Sequence, residues 1–446
     1  MLIKAIYEFW CDGTSLAEII RQLHSLTASS SLLRCFEANS SWSIQIDAYY
    51  RKFTLEERQN YLDKFNGLGF KGNFDVLKPD AKLFLLMDFS HFKQTNQKLT
   101  FCPDPEGLYC FFGQQLSIGG MREELKKYSL KSRLYLGPTS LDTSLSFIMM
   151  NIAGVQRGSV VLDPFVGTAS LLITAAHHGA LCFGTDIDIR VLKGNMYAGQ
   201  SRDSTDSDRE MKRDIWENFR VYGLAKPELI RLDNHLLDRH LNYPINHECD
   251  THNLNYNFYD SIITDPPYSI RAGAKKSGKK GGVRYIVNED SREQHIPATQ
   301  TYPVEEVMLD LLHNSAKLLK MNGILAYLIP TPYDFNVSDL PIHPCFELKD
   351  ICLQNLSSRH GRRLVVLKKI HEYTKDKLET FNEYKESVLL GKDGNFSLLI
   401  KKLAASLASD AHANVEVVKK ISRTKEKRMN NTVNRIAWRN SQSEIS

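Results

Sequence analysis

The chain has 446 residues, 42% apolar and 24% charged, with a formal net charge of +5. That length exceeds one ordinary core and implies two or three globular domains, and the mild basic excess permits an acidic partner such as nucleic acid without demanding one. No run stays apolar for the roughly 18 residues of a membrane span, since Asp163 and the His177-His178 pair interrupt the richest stretch. The eight cysteines are scattered without a C-x-x-C pair, which argues against a zinc ribbon or disulfide framework. The opening MLIKAIYEFWCDG lacks the apolar core and cleavage site of a signal peptide. The expected setting is reduced and cytoplasmic.

Residues 1–115 read as a small α+β unit. SWSIQIDAYY (41–50) alternates like a strand, and TLEERQNYLDKFNGL (54–68) can place Leu55, Tyr61, Leu62 and Phe65 on one helix face. Residues 116–150 give a basic segment, a Gly-Pro break and an apolar helix expected to start at Thr139 or Ser140 as N-cap. From 151 to 371 apolar strands alternate with helices, the pattern of a parallel α/β sheet. SVVLD (159–163), LCFGTD (181–186), LIRLD (229–233) and SIITD (261–265) are four strands, and all end in aspartate. A helix with Val304, Val307, Met308, Leu311, Leu312 and Leu319 at helical spacing follows, with Gly323 as its stop, then a fifth strand, ILAYLIP (324–330). Two late runs, 346–356 and 362–370, are close enough to pair antiparallel. The polar insertion 198–214 reads as a surface loop, and 372–446 as a basic, partly disordered tail.

The carboxyl ends of parallel strands line the ligand crevice of an open α/β sheet, so four aspartates there point to chemistry. Gly167, in the turn after the first strand, lets a ligand approach the backbone, with a helix N-terminus behind it. The G-x-G-x-x-G dinucleotide fingerprint is absent. Asp186, about 20 residues on, suits ribose hydroxyls, with helix capping as the bland alternative. In DPPY (265–268) the prolines cannot donate to a ladder, so Asp265 and the neighbouring carbonyls are held as a rigid set of acceptors. Such a set matches the two N–H donors of an exocyclic amine on a nucleobase, and Tyr268 offers a face for the ring. The alternative is a strand-ending turn with a core tyrosine. The glycine-rich loop after it carries Arg271, Lys275, Lys276, Lys279, Lys280 and Arg284, either a solvated loop or a cationic flap for phosphates. Arg359, Arg362 and Arg363 can add to that surface or serve solubility. His177 and His178 read as helix residues rather than metal ligands, and no metal site is expected.

DPFVGT, GTDID and DPPY together resemble the class I, S-adenosylmethionine-dependent amino-methyltransferases. The wider run YSLKSRLYLGPTSLDTSLSFIMMN, ITDPPYSIR and LSSRHGRRLVVLKK is similar to the catalytic subunit of eukaryotic tRNA (guanine-N2) methyltransferases acting at position 10, from about residue 4 to 371. The resemblance implies a Rossmann-like sheet of five parallel strands plus a C-terminal antiparallel hairpin, preceded by an RNA-binding THUMP-like domain. It implies S-adenosylmethionine as cofactor, tRNA as partner and a small zinc-binding activator subunit. Asp163, Phe165 and Gly167 would face the methionine part of the cofactor, Asp186 its ribose and Asp233 its adenine. The segment at Thr139 would close over it, while Asp265, Pro266 and Tyr268 would hold the guanine. An amino-methyltransferase on another base, such as DNA adenine or rRNA guanine, and a catalytically inactive tRNA-binding scaffold are the alternatives.

Two departures from that family stand out. Ala169 and Ser170 occupy positions usually filled by glycine, and a methyl at 169 is expected to crowd the cofactor if its φ is positive. The chain also begins almost at the stretch matching IYEFW, so the expected THUMP-like unit is N-terminally shortened.

Overall fold

The computed structural model describes residues 5–26, 39–90, 108–137, 140–194, 214–237, 255–268, 274–278, 298–356, 360–392 and 394–406. The insertion read at 198–214 therefore lies outside the described residues except at its last position. The chain divides into two units at 127/128 rather than at 115, because a strand and a helix beyond 115 belong to the first unit.

In the first unit the elements are β1 (Ala5–Gly13), α1 (Leu16–Leu26), β2 (Ser41–Tyr49), α2 (Leu55–Asp63), β3 (Asn73–Phe74), β4 (Ala81–Asp88), β5 (Tyr109–Ile118) and α3 (Met121–Lys127). The strands form one sheet in the order β1-β5-β4-β2-β3. Leu16, Ile19 and Leu23 recur at helical spacing and bury one face of α1 against the strands. A reciprocal capping box opens α2: Glu57 N–H donates to Thr54 Oγ1, and Thr54 N–H donates to Glu57 Oε2. Tyr61 and Phe65 are buried as the spacing suggests, but Leu55 is 87% exposed, since it sits at the first helical position beyond the reach of that core.

The second unit contains α4 (Thr143–Ile152), β6 (Val160–Asp163), α5 (Ser170–His177), β7 (Leu181–Asp186), α6 (Ile189–Leu192), α7 (Ile215–Tyr222), β8 (Glu228–Arg231), β9 (Tyr259–Thr264), β10 (Lys275–Ser277), β11 (Thr299–Thr301), α8 (Val304–Leu318), β12 (Leu319–Pro332), β13 (Phe346–Asn355), β14 (His360–Lys369) and α9 (Lys375–Leu389). Seven strands make one sheet in the order β13-β14-β12-β9-β6-β7-β8. Strands β8, β7, β6, β9 and β12 run parallel, and β14 is antiparallel to both β12 and β13. The hairpin thus inserts its second strand beside β12 and leaves its first at the edge. Val161, Leu162, Ile262 and Ile263 are all fully buried, which is why these short strands read as unbroken apolar runs.

Three boundaries differ from the sequence reading. Helix α4 is capped not at 139 or 140 but by Asp142, whose Oδ1 accepts the Ser144 and Leu145 N–H groups. Helix α8 ends at Leu318, well before Gly323, because Leu319 leaves the helix to pair with Tyr259 and its carbonyl accepts from the buried Lys369 ammonium. Residues beyond 372 are not wholly a tail. Helix α9 and a further helical run at 394–406 place Phe381, Val388, Phe396 and Leu399 in the same core as β9 and β12.

Candidate active site

The sheet aligns the four expected aspartates at one edge. Asp163 ends β6 and Asp186 ends β7, while Asp233 lies two residues past β8 and Asp265 one past β9. These four strands are consecutive neighbours, so the tips form a continuous row.

Hydrogen bonds tie the tips together. Thr264 Oγ1 donates to Asp163 Oδ1 at 2.7 Å, joining β9 to β6, and Phe165 N–H reaches the same oxygen at 3.1 Å. Asp163 Oδ2 is the oxygen left for a ligand. Asp163 is 2% exposed, and burial pushes its pKa up to about 7, with Asp265 and Asp186 adding repulsion. Thr264 directly precedes Asp265, so its bond to Asp163 sets the β9 and β6 tips side by side. Gly167 N–H donates to Asp186 Oδ2 at 3.0 Å and Asp188 N–H to its Oδ1 at 2.8 Å, while burial raises the Asp186 pKa. Asp188 itself caps α6. Asp186 is thereby rigid and still has lone pairs for hydroxyl donors.

Asp233 is 6% exposed and already holds two backbone donors, His235 N–H and, at 2.6 Å, Ser277 N–H. It ties the β8 tip to β10, which starts the lysine-bearing loop. Phe165 packs against Ala274, Tyr302 and Val307 as well as the main core, so its ring props this same loop.

Asp265 is held by two side chains. Tyr268 Oη donates at 2.5 Å to Asp265 Oδ1 and stands equally close to the Leu328 carbonyl oxygen of β12, while Arg362 Nη1 of β14 lies 3.6 Å from Oδ2. Burial raises the Asp265 pKa, and the Tyr268 hydrogen bond and Arg362 charge oppose that rise. Pro266 is buried behind it. Arg362 is thus committed to Asp265 and to Gln354 Oε1, and Arg363 stacks on Phe335 at 3.9 Å, so neither joins an open cationic surface. The Arg362 contact escaped the sequence reading because its partner lies almost a hundred residues away on a non-adjacent strand.

Of the loop cations, Lys275 is exposed on β10, whereas Lys276 is 12% exposed, paired with Glu306 and lying over the Tyr302 ring. That ion pair and ring contact turn Lys276 inward, away from a phosphate. Arg271, Lys279, Lys280, Arg284, Arg359 and Thr139 lie outside the described residues. His177 ends α5 and contacts Tyr128 Oη at 3.1 Å.

Ala169 has φ 62° and ψ 32°, the left-handed conformation that favours glycine, and is 0% exposed. Its φ is positive, yet its methyl is enclosed by protein rather than directed into open space, so the expected crowding does not follow. Ala169→Gly is expected to change cofactor affinity by less than about twofold by calorimetry, because the methyl is fully buried and offers a ligand no surface. A tenfold gain would show that the methyl does obstruct the ligand. Gly167 has φ 50° and nothing within 4 Å of where a Cβ would stand, so a ligand can lie directly on this turn. An open glycine turn between two carboxylates, with a free Asp163 oxygen for an ammonium and Asp186 for a diol, fits the amino acid and ribose of S-adenosylmethionine.

Comparison with known proteins agrees. Residues 131–280 match the family model of the RMKL-like methyltransferase domain, and residues 1–120 that of the Tmrp11 THUMP N-terminal domain. The tRNA (guanine(10)-N(2))-methyltransferase TRMT11 of Dictyostelium discoideum is 36% identical over 385 residues, covering 84% of this chain and 69% of that protein. Those of Mus musculus and Homo sapiens are 33% and 31% identical, each covering 83% of this chain and 75% of the relative. The solved structure of TrmN from Thermus thermophilus, 17% identical over 83% of this chain and 84% of that one, gives a TM-score of 0.38, too loose to add to the topology. With a THUMP unit, a methyltransferase sheet and four acidic strand tips in place, the chain belongs to the TRMT11 family of tRNA (guanine(10)-N2)-methyltransferases.

Proposed function

We propose that this chain transfers a methyl group from S-adenosylmethionine to the exocyclic N2 of guanosine 10 in tRNA, with Asp265, Pro266 and Tyr268 holding the acceptor amine. The observation that carries the assignment is the Asp265 carboxylate, held by Tyr268 and Arg362 directly after Thr264, which itself bonds Asp163. When bound, S-adenosylmethionine supplies an electrophilic methyl group. The remaining task is alignment and control of the amine's protons.

Guanine N2 is a weak nucleophile because its lone pair is delocalised into the ring. Asp265 and the Pro266 carbonyl accept its N–H hydrogens, which favours the pyramidal, attacking form and stabilises the transition state more than the ground state. Burial makes Asp265 a stronger proton acceptor than an ordinary carboxylate, while the Tyr268 hydrogen bond and the Arg362 charge oppose that rise. Proton loss to Asp265 after methyl transfer fits that balance. Tyr268, pinned by its hydroxyl, offers its ring to the base, and a paired guanine must leave its helix to reach it.

Asp163 shows how stability and binding oppose each other. A carboxyl whose folded pKa lies above its unfolded value contributes most below the unfolded value, about 4, and that contribution is lost as pH rises through about 7. Asp163→Asn keeps an oxygen for Thr264 and Phe165, so its melting temperature at pH 8 is expected to match or exceed wild type. Cofactor affinity should fall about 10–100-fold through loss of a charge-assisted bond. Equal loss of both would contradict the assignment.

For tRNA docking the supporting features are the THUMP match and a concavity of about 600 Å³ on the first unit, lined by Tyr7, Tyr49, Arg51, Lys52, Arg58 and Phe84. The activator subunit is what the sequence resemblance implies, and the edge strand β8, where Ile230 is 48% exposed, is a surface on which it could dock. A cytoplasmic setting is supported by the free cysteines among the described residues. Incubating the chain, alone and with the activator, with unmodified tRNA and labelled cofactor should yield N2-methylguanosine. N6-methyladenosine in its place would remove the substrate assignment and spare the fold.

A further inference from the structure

Strand β14 runs antiparallel to β12, so its first residues, 360–362, pair with 330–332 at the edge where the parallel strands end. That pairing delivers Arg362 to Asp265. The guanidinium is steered from the other side by Gln354, its cross-strand partner on β13, whose Oε1 accepts from Nε at 2.5 Å. Nη1 then stands 3.6 Å from Asp265 Oδ2, beyond hydrogen-bond distance. An arginine that served only to balance a carboxylate would close on it as a bidentate pair at about 2.8 Å. Here Gln354 holds it short of that contact. Among the described residues, neither Nη1 nor Nη2 makes a hydrogen bond, although the side chain is only 18% exposed. Unspent donors in such a place are costly unless a ligand takes them.

The neighbouring groups give those donors a context. Asp265 Oδ1 takes the Tyr268 hydroxyl, and each carboxylate oxygen still has a lone pair for a ligand. From the Pro266 carbonyl through Asp265 to Arg362, the protein therefore offers acceptor, acceptor and donor. Guanine offers the complement along its pairing edge: the N2 amine and N1–H donate, and O6 accepts. Cytosine satisfies that edge in a base pair with the same sequence of groups. With one amine hydrogen on the Pro266 carbonyl, the other and N1–H fall to Asp265, and O6 falls to the guanidinium. A purine with an amine at position 6 reverses this match, because its N1 lone pair meets the carboxylate and its N–H groups meet the arginine.

We propose that Arg362, aimed by Gln354, donates to guanine O6 and is a specificity-determining residue of the site, admitting guanine and rejecting 6-aminopurines. Asp265 and Arg362 together replace the pairing partner that the base gives up when it leaves its helix. Discrimination follows from the mismatch, since a site built to hydrogen-bond one pattern leaves its own buried groups unpaired with another. The assignment rests on guanosine being the methyl acceptor.

The test measures kcat/KM for transfer from labelled cofactor to tRNA carrying either guanosine or 2,6-diaminopurine riboside at position 10. The analogue keeps the N2 amine and replaces O6 by an amine. Wild type should favour guanosine by about 100-fold or more, and Arg362→Met should cut that preference about 10–100-fold, losing rate on guanosine while staying within about threefold on the analogue. Arg362→Lys, with a charge but no planar fork, should fall between. Any difference in the cost of unpairing the two bases is common to wild type and variants, so the change in preference isolates the side chain. Equal loss on both substrates would make Arg362 a positioning residue that acts through Asp265, and an unchanged preference would remove it from base recognition; either overturns the proposal. Failure of wild type to methylate guanosine would instead indict the substrate assignment. Should the Arg362 variants not fold, Gln354→Ala decides: releasing the guanidinium is expected to lower the preference, and a preference equal to wild type refutes the reading.

Discussion

Asp265→Ala is expected to lower kcat by about a thousandfold or more, within the range by which a positioned acid or base and a transition-state acceptor act together. Cofactor affinity should remain within about threefold of wild type, because Asp265 makes none of the hydrogen bonds that hold Asp163, Gly167 or Asp186. Single-turnover methylation and calorimetry with S-adenosylhomocysteine separate the two quantities. Asp265→Asn refines the assignment. The amide keeps an acceptor for Tyr268 but loses the negative charge, so it tests whether the carboxylate also receives a proton. A loss of about 10–100-fold would mean that alignment carries most of the effect, while a loss as large as that of alanine would assign proton acceptance to the carboxylate. Full activity of the alanine variant would remove Asp265 from the mechanism. Its raised pKa gives a second handle. The acid limb of the kcat profile should lie above the ordinary carboxylate range in wild type and vanish in the asparagine variant.

The sequence carried the acidic row because the runs before Asp163, Asp186, Asp233 and Asp265 are short, mostly apolar or β-branched and each closed by an acid, with helical patterns between them. Parallel strands point their carboxyl ends the same way, so the tips meet at one edge whatever their order, and the order itself, with β9 beside β6, appears only in the fold. What sequence reasoning missed depends on strands that meet only in the fold. Arg362 pairs with Asp265 because β14 inserts beside β12, and no local pattern distinguishes it from Arg363. The buried Lys369 is a similar case. Its ammonium is satisfied by Asn255, Asn257 and the Leu319 carbonyl, acceptors from two segments that are both far from it in the chain. Ala169 shows the opposite limit. Its positive φ could be anticipated from the glycine usual there, but only the packing shows where the methyl goes. Helix α9 was hidden by its own surface, since KDKLETFNEYKESVL buries only Phe381 and Val388 and reads as a charged segment.

Removing everything beyond residue 371 is expected to prevent the second unit from folding, although the sequence alone reads that region as a basic, partly disordered tail. Phe381, Val388, Phe396 and Leu399 are buried in the core shared with β9 and β12. At about 1.5–3 kcal/mol each, the four together approach the whole 5–15 kcal/mol that holds a typical domain folded. A polar contact adds to this. Lys385 of α9 donates at 2.6 Å to Asp310 Oδ1, while His235 Nδ1 and Tyr302 Oη meet Asp310 Oδ2, both at 2.7 Å. Burial pushes the Asp310 pKa up, but His235, Lys385 and Tyr302 outweigh it and leave it below the ordinary value. The stabilisation from this carboxylate is therefore present above its unfolded pKa and lost as pH falls through the folded one. Because His235 follows Asp233 in the turn after β8, the network connects α9 to the cofactor edge of the sheet. Asp310→Ala should cost about 1–3 kcal/mol, since it leaves the buried Tyr302 hydroxyl and the half-buried Lys385 and His235 without their acceptor. Lys385→Met should cost less, because His235 and Tyr302 still satisfy the carboxylate and the methionine stem keeps its packing. Urea unfolding of the two single variants and the double variant measures the coupling. Additive losses would show that α9 contributes by apolar packing alone, whereas a coupling of about 1 kcal/mol or more would make Lys385 part of what holds the cofactor edge in place.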